Sequence, residues 1–481
     1  MKPRVLILPA AIRSHVLPSL YLADLLADEY EVYYAVTSQV LAEIVVKNGY
    51  QAVKNSGYRI GYHMETSFLA SKKQKLTYWR LLKAYRTDEL YWERKRELDA
   101  LIDEIRPSAI LIDLFVCTDF WVLNPRRSEF KLLFFNPMPS TYRVRDWPSV
   151  PDRYLIPRGV PSQPLLHLEK KRKKSPSPTW RGVGVRYWLI QWTIARHRQR
   201  IQQLAEALPD YPLALNATVT QVIANVPELI LAPLEFEFAP EIRKPNQHYL
   251  GLCMREHRQD TELDPVFEQA WEHIVNLRLQ QNKVPPLKRD LGRAAVAERL
   301  IYCSFGTFHE GADATLLRFV TNLLAVVNEL PNVRLVCSVN KYVIETLRAR
   351  KLLTDRTHFF SRVPQLRVLA TADVFITHAG FGSIKESIYY GVPMLAYPLD
   401  PHYDQNGNAL KIEYHGLGLR GAFAHERVGD LKKKLERLLE EKTFREKVRQ
   451  FREVIVDEYK EEKIKGAVQS LLVDKYSAVL A

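Results

Sequence analysis

Short, unbroken apolar runs that alternate with helical stretches most limit what this chain can fold into, and the pattern occurs twice. In the first 135 residues, Arg4–Pro9, Glu31–Val36, Ala109–Asp113 and Lys131–Phe135 read as strands, and Leu17–Asp28 and Gln39–Asn48 as helices. Pro18 falls near a first helical turn, where a missing N–H is tolerated. The pattern resumes at Arg299. Leu300–Phe305, Val333–Ser338, Thr357–Phe360, Asp373–Thr377 and Val392–Ala396 read as strands there. Ala314–Glu329, a segment from about Gly382, Glu426–Glu441 and Thr443–Leu472 read as helices. Strands without polar alternation are buried on both faces, which requires a parallel sheet covered by helices on either side. The sequence therefore predicts two open α/β domains. Ligands of such sheets sit at the carboxyl ends of the strands, here in a cleft between the domains.

The intervening stretches are less regular. Residues 136–170 are rich in Pro, Tyr, Trp and Arg and read as extended loop. Val185–Leu208 reads as helix, and a proline-bearing linker runs from Val222 to Gly251. Residues 255–298 read as a charged, largely helical insertion. The expected division is 1–235 and 255–455 for the two domains, 236–254 for the linker, and 456–481 for a last helix returning to the first domain. At roughly 150 residues per domain, the 481 residues fit two large domains or about three ordinary ones. No fixed-period repeat is present, which argues against solenoids and propellers.

Composition removes several classes. With 47% hydrophobic and 26% charged residues the chain is neither disordered nor collagenous. Cys117, Cys253, Cys303 and Cys337 are too scattered for a zinc cluster or a disulfide framework and suit a reducing compartment. The apolar runs are shorter than the roughly 20 residues a bilayer span needs. Lys2 and Arg4 before Val5–Leu8 have the outline of a signal peptide, but Pro9, Arg13 and His15 break it and no small-residue cleavage site follows. A cytoplasmic location, with peripheral contact at the inner membrane face as an option, is the expectation. The net charge of +14 is concentrated, with 10 Lys or Arg and no acid between Lys170 and Arg200. That density points to an anionic partner for one patch rather than to a nucleic-acid-binding chain.

The segment Thr377-His378-Ala379-Gly380-Phe381-Gly382-Ser383-Ile384-Lys385-Glu386 carries the most chemistry. A strand ends, a glycine-rich turn follows and a helix begins, which offers free N–H groups and a positive helix end to an anion. Ser383-x-x-Glu386 is equally a capping box that needs no ligand. The segment lacks the third glycine of a dinucleotide fingerprint and the Gly-Lys-Ser/Thr of a P-loop. Downstream, Asp404-Gln405 offers acceptors and donors for sugar hydroxyls, or an acidic helix cap.

Arg362-Val363-Pro364-Gln365, then His378-x-Gly380-Phe381-Gly382-Ser383-x-x-Glu386, then Asp404-Gln405 resemble, in this order and spacing, the donor signature of nucleotide-sugar glycosyltransferases of the GT-B fold. That group includes plant secondary-metabolite, animal glucuronosyl and bacterial macrolide enzymes. Ser304-Phe305-Gly306-Thr307 matches the loop after the first strand of the family's second domain. Ser14-His15-x-x-Pro18 lies where the family keeps its catalytic histidine, and Asp113 where it places the aspartate that orients it; alone, His15 is also an ordinary helix-start residue. The resemblance implies an inverting hexosyl transfer from a nucleoside-diphosphate sugar, UDP favoured and TDP possible, with His15 as base. Ser304, Gly306, Thr307, Arg362, Val363, Gln365, His378, Gly380–Ser383, Glu386, Asp404 and Gln405 would hold the donor. Neither a metal nor a further cofactor is implied. Arg362 replaces the plant tryptophan that stacks on the base, so the base stays open; Asp404-Gln405 favours a glucose-like sugar.

The acceptor is less legible. By analogy it lies in the first domain, and Tyr78, Met138, Tyr142 and Trp147 suit a small aromatic, apolar or lipid molecule. The basic segment 170–200, with Trp180, Trp188 and Trp192, reads as a solvated face or as a lipid-surface contact. No RNA-binding motif accompanies it. Two rivals remain on sequence: an epimerase or hydrolase of the same fold, and a non-catalytic nucleotide-sugar-binding scaffold at a membrane.

Overall fold

Two parallel sheets form the frame. The computed structural model describes residues 2–60, 64–73, 75–141, 144, 147–148, 180–206, 226–283, 298–306, 313–399 and 404–473. The first sheet is built from β1 (Arg4–Leu8), β2 (Glu31–Val36), β3 (Gln51–Lys54), β4 (Ala109–Asp113), β5 (Lys131–Asn136), β6 (Glu228–Ile230) and β7 (Gln247–Tyr249), in the order 3-2-1-4-5-6-7. The second holds β8 (Arg299–Ser304), β9 (Val333–Ser338), β10 (Thr357–Phe360), β11 (Val374–Thr377), β12 (Met394–Ala396) and β13 (Gly418–Arg420), in the order 10-9-8-11-12-13. All pairings are parallel. In both sheets the order reverses beside the first strand, between β1 and β4 and between β8 and β11. Loops leaving such a pair diverge to opposite faces and leave a crevice.

Helices cover both faces. In the first domain they are α1 (Arg13–Leu26), α2 (Gln39–Lys47), α3 (Met64–Ser71), α4 (Tyr78–Arg86), α5 (Glu89–Ile105), α6 (Asp119–Leu123) and α7 (Trp180–Leu204). α8 (Phe267–Lys283) precedes the second sheet, and α9 (Asp313–Glu329), α10 (Lys341–Ala349), α11 (Gln365–Leu369), α12 (Phe381–Tyr389), α13 (Gln405–Tyr414) and α14 (Val428–Glu440) cover it. The central strands are buried along their length, as their unbroken apolar runs require. No described helix is long and apolar enough to cross a membrane. All four cysteines are free thiols.

Three elements differ from expectation. α1 starts at Arg13 rather than Leu17, which puts His15 in its first turn. The stretch 236–254, read as linker, carries β7, and the preceding β6 also joins the first sheet. β6 starts a four-residue apolar run, Leu229–Ala232, closed in by Pro227 and Pro233, and β7 is polar, so neither stands out as a full strand. Thr443–Leu472 is two helices, α15 (Lys442–Glu458) and α16 (Glu461–Val473), separated at Tyr459–Lys460. α15 buries Val448 and Ile455 in the second domain's core. α16 buries Ile464, Val468 and Leu472 in the first domain's core, beside Val5 and Leu20. The phenol of Tyr459 between them accepts the Leu234 N–H at 3.0 Å, and its ring lies against Gly251.

The C-terminal crossing is thus part of the first domain's core. Val468→Asp places an unpaired carboxylate in an apolar site and should destabilise that domain by roughly 3 kcal/mol or more. Urea unfolding should then show the first domain melting ahead of the second; an unchanged curve would mean that α16 is dispensable.

Candidate functional site

On the first domain the reversal of strand order joins two groups 98 residues apart. β1 and β4 pair in register from Val5↔Ala109 to Leu8↔Ile112, so the residues after them emerge side by side. Asp113 ends β4 and is fully buried. Its Oδ2 lies 2.8 Å from His15 Nδ1 and accepts the Ala10 N–H at 3.0 Å, and its Oδ1 accepts the Phe115 N–H at 2.9 Å. The Phe115 ring meets the imidazole edge-on at 4.3 Å. A carboxylate held by two backbone N–H groups is a fixed acceptor. It holds the proton on Nδ1 and leaves Nε2 as the basic nitrogen.

The second domain repeats the device with β8 and β11, paired up to Ser304↔Thr377. His378 follows β11, and its ring fills the space between two glycines. A Cβ on Gly306, which sits at φ +71°, would lie 2.8 Å from the ring, and one on Gly380 2.4 Å from it. Both positions are glycine because the ring occupies the side-chain space. Ala379, fully buried, adopts φ +64°, a conformation that costs a non-glycine residue about 1–2 kcal/mol. This turn delivers the chain into α12 with Gly380 at the N-cap and no side-chain cap, so the first N–H groups of the helix face the cleft.

The capping-box reading of Ser383 and Glu386 is therefore not what the chain builds. Ser383 Oγ accepts from Gln365 Nε2 at 3.1 Å, and Glu386 Oε2 accepts from the same amide at 2.6 Å. Glu386 Oε1 accepts from Arg258 Nη1 at 2.7 Å. Arg258 also reaches Asp260 at 3.1 Å. Burial opposes its charge, but attraction to Glu386 and Asp260 outweighs that and raises its pKa. Sequence reasoning missed Arg258, which lies in the charged stretch read as insertion. The signal available was the run of alternating charges directly after the linker. That stretch bridges the domains: Arg255 pairs with Asp24 of α1 at 2.6 Å, and Arg13 pairs with Glu262 at 2.8 Å.

Both sets of residues line one cleft of about 620 Å³. From the first domain come His15, Arg13, Arg59, Met64, Phe115 and Met138; from the second Ser304, Gly306, Arg362, Val363, Gln365, His378, Gly380, Phe381, Gly382, Ser383, Glu386, Asp404 and Gln405. Asp113 stands behind His15. Asp404 is near enough to His15 for their charges to interact; burial raises its pKa, and Asn408 Nδ2 donates to it at 2.7 Å. The Leu399 N–H donates to Gln405 Oε1 at 2.8 Å. Charges of both signs meet in the cleft: Arg13 pairs with Glu262 and has its pKa lowered by burial and by Arg362, while burial lowers that of Lys385.

The acceptor expectations separate. Met138 lines the cleft. Trp147 instead walls a second cavity of about 250 Å³, stacked on Phe238 at 5.4 Å and edge-on to Tyr414 at 5.5 Å. Its ring is used in packing beside α13. Tyr78 lines neither cavity, because α4 turns Ala84 and Tyr85 inward and leaves its first turn outside. Tyr142 and Thr307 lie outside the described residues.

Known proteins resemble this chain in part of its sequence and in its fold. Residues 342–461 match the family model described as UDP-glucoronosyl and UDP-glucosyl transferase. An oleandomycin glycosyltransferase of Streptomyces antibioticus is 32% identical over 134 residues, 28% of this chain and 29% of its own. A zeaxanthin glucosyltransferase of Pantoea ananas is 41% identical over 58 residues, 12% of this chain and 13% of its own. The chain thus spans less than a third of these curated relatives. Solved structures cover far more. The glycotransferase of kitacinnamycin superposes with a TM-score of 0.62 at 18% identity, covering 98% of this chain and 99% of that one. A UDP-glucosyltransferase from Polygonum tinctorium gives 0.57 at 16% identity, covering 99% of each. The fold is GT-B.

Gly306→Ala tests the packing of His378. The new methyl must displace the imidazole and bear a left-handed backbone, so the cleft's nucleotide affinity should fall about ten-fold, equivalent to about 1.4 kcal/mol. Calorimetric titration with UDP reads this; unchanged affinity would mean that the ring's position is irrelevant to the ligand.

Proposed function

We propose that this chain is an inverting glycosyltransferase that moves a glucose-like hexose from a nucleoside-diphosphate sugar, UDP favoured, to a hydroxyl of a small aromatic, apolar or lipid acceptor. The observation that carries this reading is one cleft faced by two devices: the His15–Asp113 pair of the first domain and the N-terminus of α12 beside His378 in the second. The family match across Arg362–Gln405 supports the donor half.

In this mechanism His15 Nε2 takes the proton of the acceptor hydroxyl while Asp113 stabilises the imidazolium through Nδ1–H. The acceptor oxygen attacks the anomeric carbon from the face opposite the diphosphate. The bond from that carbon to the diphosphate oxygen breaks, and configuration inverts. Charge growing on the leaving group is met by the N–H groups of Phe381 and Gly382, the helix dipole and His378. Glu386 accepts from the ribose hydroxyls. Asp404 and Gln405 hold the sugar hydroxyls, with Gln405 Oε1 fixed by the Leu399 N–H. Phe115, Val116, Pro137 and Met138 give the acceptor an apolar wall.

His15→Ala should lower transfer about a thousand-fold while leaving UDP affinity nearly unchanged. Product analysis with a UDP-sugar and a panel of phenols and polyprenols measures the first quantity, and calorimetry the second. Loss of UDP binding in this variant would remove His15 as base. Turnover of the UDP-sugar without any acceptor hydroxyl would favour an epimerase or hydrolase.

Arg258 has a supporting role in the same reading. Arg258→Ala leaves Glu386 buried with one charged partner fewer, and UDP affinity should fall about ten- to a hundred-fold, with partial recovery in Arg258→Lys. Equal affinity in all three proteins would show that the Glu386 carboxylate does not contact the ligand.

A further inference from the structure

The helical side of the first domain turns an unusual set of residues outward. Trp79 on α4 is 71% exposed, Trp188 and Trp192 on α7 are 62% and 48%, and Trp92 on α5 is 41%. Leu76, in the turn before α4, is 46% exposed. Tryptophan is rarely left in water, since its ring offers a large area to bury and its N–H asks for only one polar partner. α4 packs against α3, α5 and α7, so these side chains belong to one group of helices. On α7, Ile190 and Ile194 pack inward on the core while Trp188 and Trp192 stack on each other at 6.5 Å outside, with Arg196 over the second ring at 5.2 Å. The aromatic pair is therefore not the helix's core stripe.

The same helices are basic. Residues 64–86 hold six Lys or Arg and one acid, Glu65, which is buried and accepts from Tyr85 OH at 2.9 Å. Residues 180–204 hold five Arg and no acid. Asp88, beside them, is already engaged by His197 and Arg200. Glu89 pairs with Lys72. The excess positive charge on α4 and α7 is not balanced from within these helices.

We propose that this face, formed by α4, the turn before it and the outer side of α7, docks on the surface of an anionic lipid bilayer. Indole rings settle at the headgroup level, where one edge is apolar and the other wet, and each Lys or Arg brought near an anionic leaflet adds about five-fold to binding. The position also fits the cleft: Met64, the first residue of α3, lines the first domain's half of it, and α3 packs on α4. A bilayer at this face lies next to the end of the cleft where a lipid-borne hydroxyl would enter. Docking does not depend on the transferase reading, since it requires only the outward Trp and basic side chains.

Flotation of the full chain with vesicles of pure phosphatidylcholine and of phosphatidylcholine with 40% phosphatidylglycerol tests it. The expected result is binding to the anionic vesicles alone, weakening as salt is raised, with a blue shift of the tryptophan emission. Trp79→Ser/Trp188→Ser/Trp192→Ser should bind at least ten-fold more weakly, and Lys73→Glu/Lys75→Glu/Lys83→Glu should lose the preference for anionic lipid. Circular dichroism melts, expected to match the parent chain because every changed side chain is at the surface, separate this loss from unfolding. Failure of the parent chain to float with anionic vesicles at low salt overturns the proposal. So does equal flotation of the tryptophan variant, or selective binding of an RNA oligonucleotide in place of vesicles.

Discussion

The reversal of strand order beside the first strand of each sheet is the constraint on which everything else rests. A parallel sheet must send its connections to one face or the other, and only where the direction changes do neighbouring loops part. His15 and Asp113 meet at one such point and the Gly306–His378 pair at the other. Neither site could be built from a loop in mid-sheet, because adjacent loops there cross the same face. The chemistry is placed by topology first and by side chains second.

Around that frame the cleft divides its labour by charge. The first domain contributes a fixed acceptor, a histidine and an apolar wall; the second contributes backbone N–H groups and hydrogen-bonded carboxylates. The bridging stretch from Arg255 to Asp264 belongs functionally to both. It holds Asp24 and Arg13 on one side and Glu386 and Ser361 on the other. A charged segment without apolar periodicity can be as structural as a helix when its partners are waiting in place.

Much of this was legible in the residues, for a physical reason in each case. Buried strands announce themselves by unbroken apolar runs, so β1, β4, β5, β8 and β11 could be read directly. β6 and β7 were not, since the Leu229–Ala232 run is cut short by prolines and Gln247–Tyr249 is polar. The turn into α12 was legible because His378, Gly380, Ser383 and Glu386 are contiguous and their spacing is set by one turn and one helix. Arg258 was not: its carboxylate partner is 128 residues away, and nothing local marks which charge in a charged stretch is buried. Aromatic character made Trp147 and Tyr78 candidates, but it says nothing of position: Trp147 packs on Phe238 in the wall of the second cavity, and Tyr78 stands in the first turn of α4, away from both cavities.

The two places where the backbone crosses between domains touch each other, for Tyr459 at the α15–α16 break rests on Gly251 at the start of the first crossing. Two tethers joined at one point act as a pivot rather than as a clamp. The covalent frame therefore leaves rotation about that point as the easy motion, with the far lip of the cleft travelling farthest. Apolar contacts between the domains, such as Phe236 on Phe381, lie near that point, and the ion pairs Arg255–Asp24 and Arg13–Glu262 add to them. Only the ionic share of that grip is screened by salt, so it is the part that the ionic strength of the surroundings can loosen.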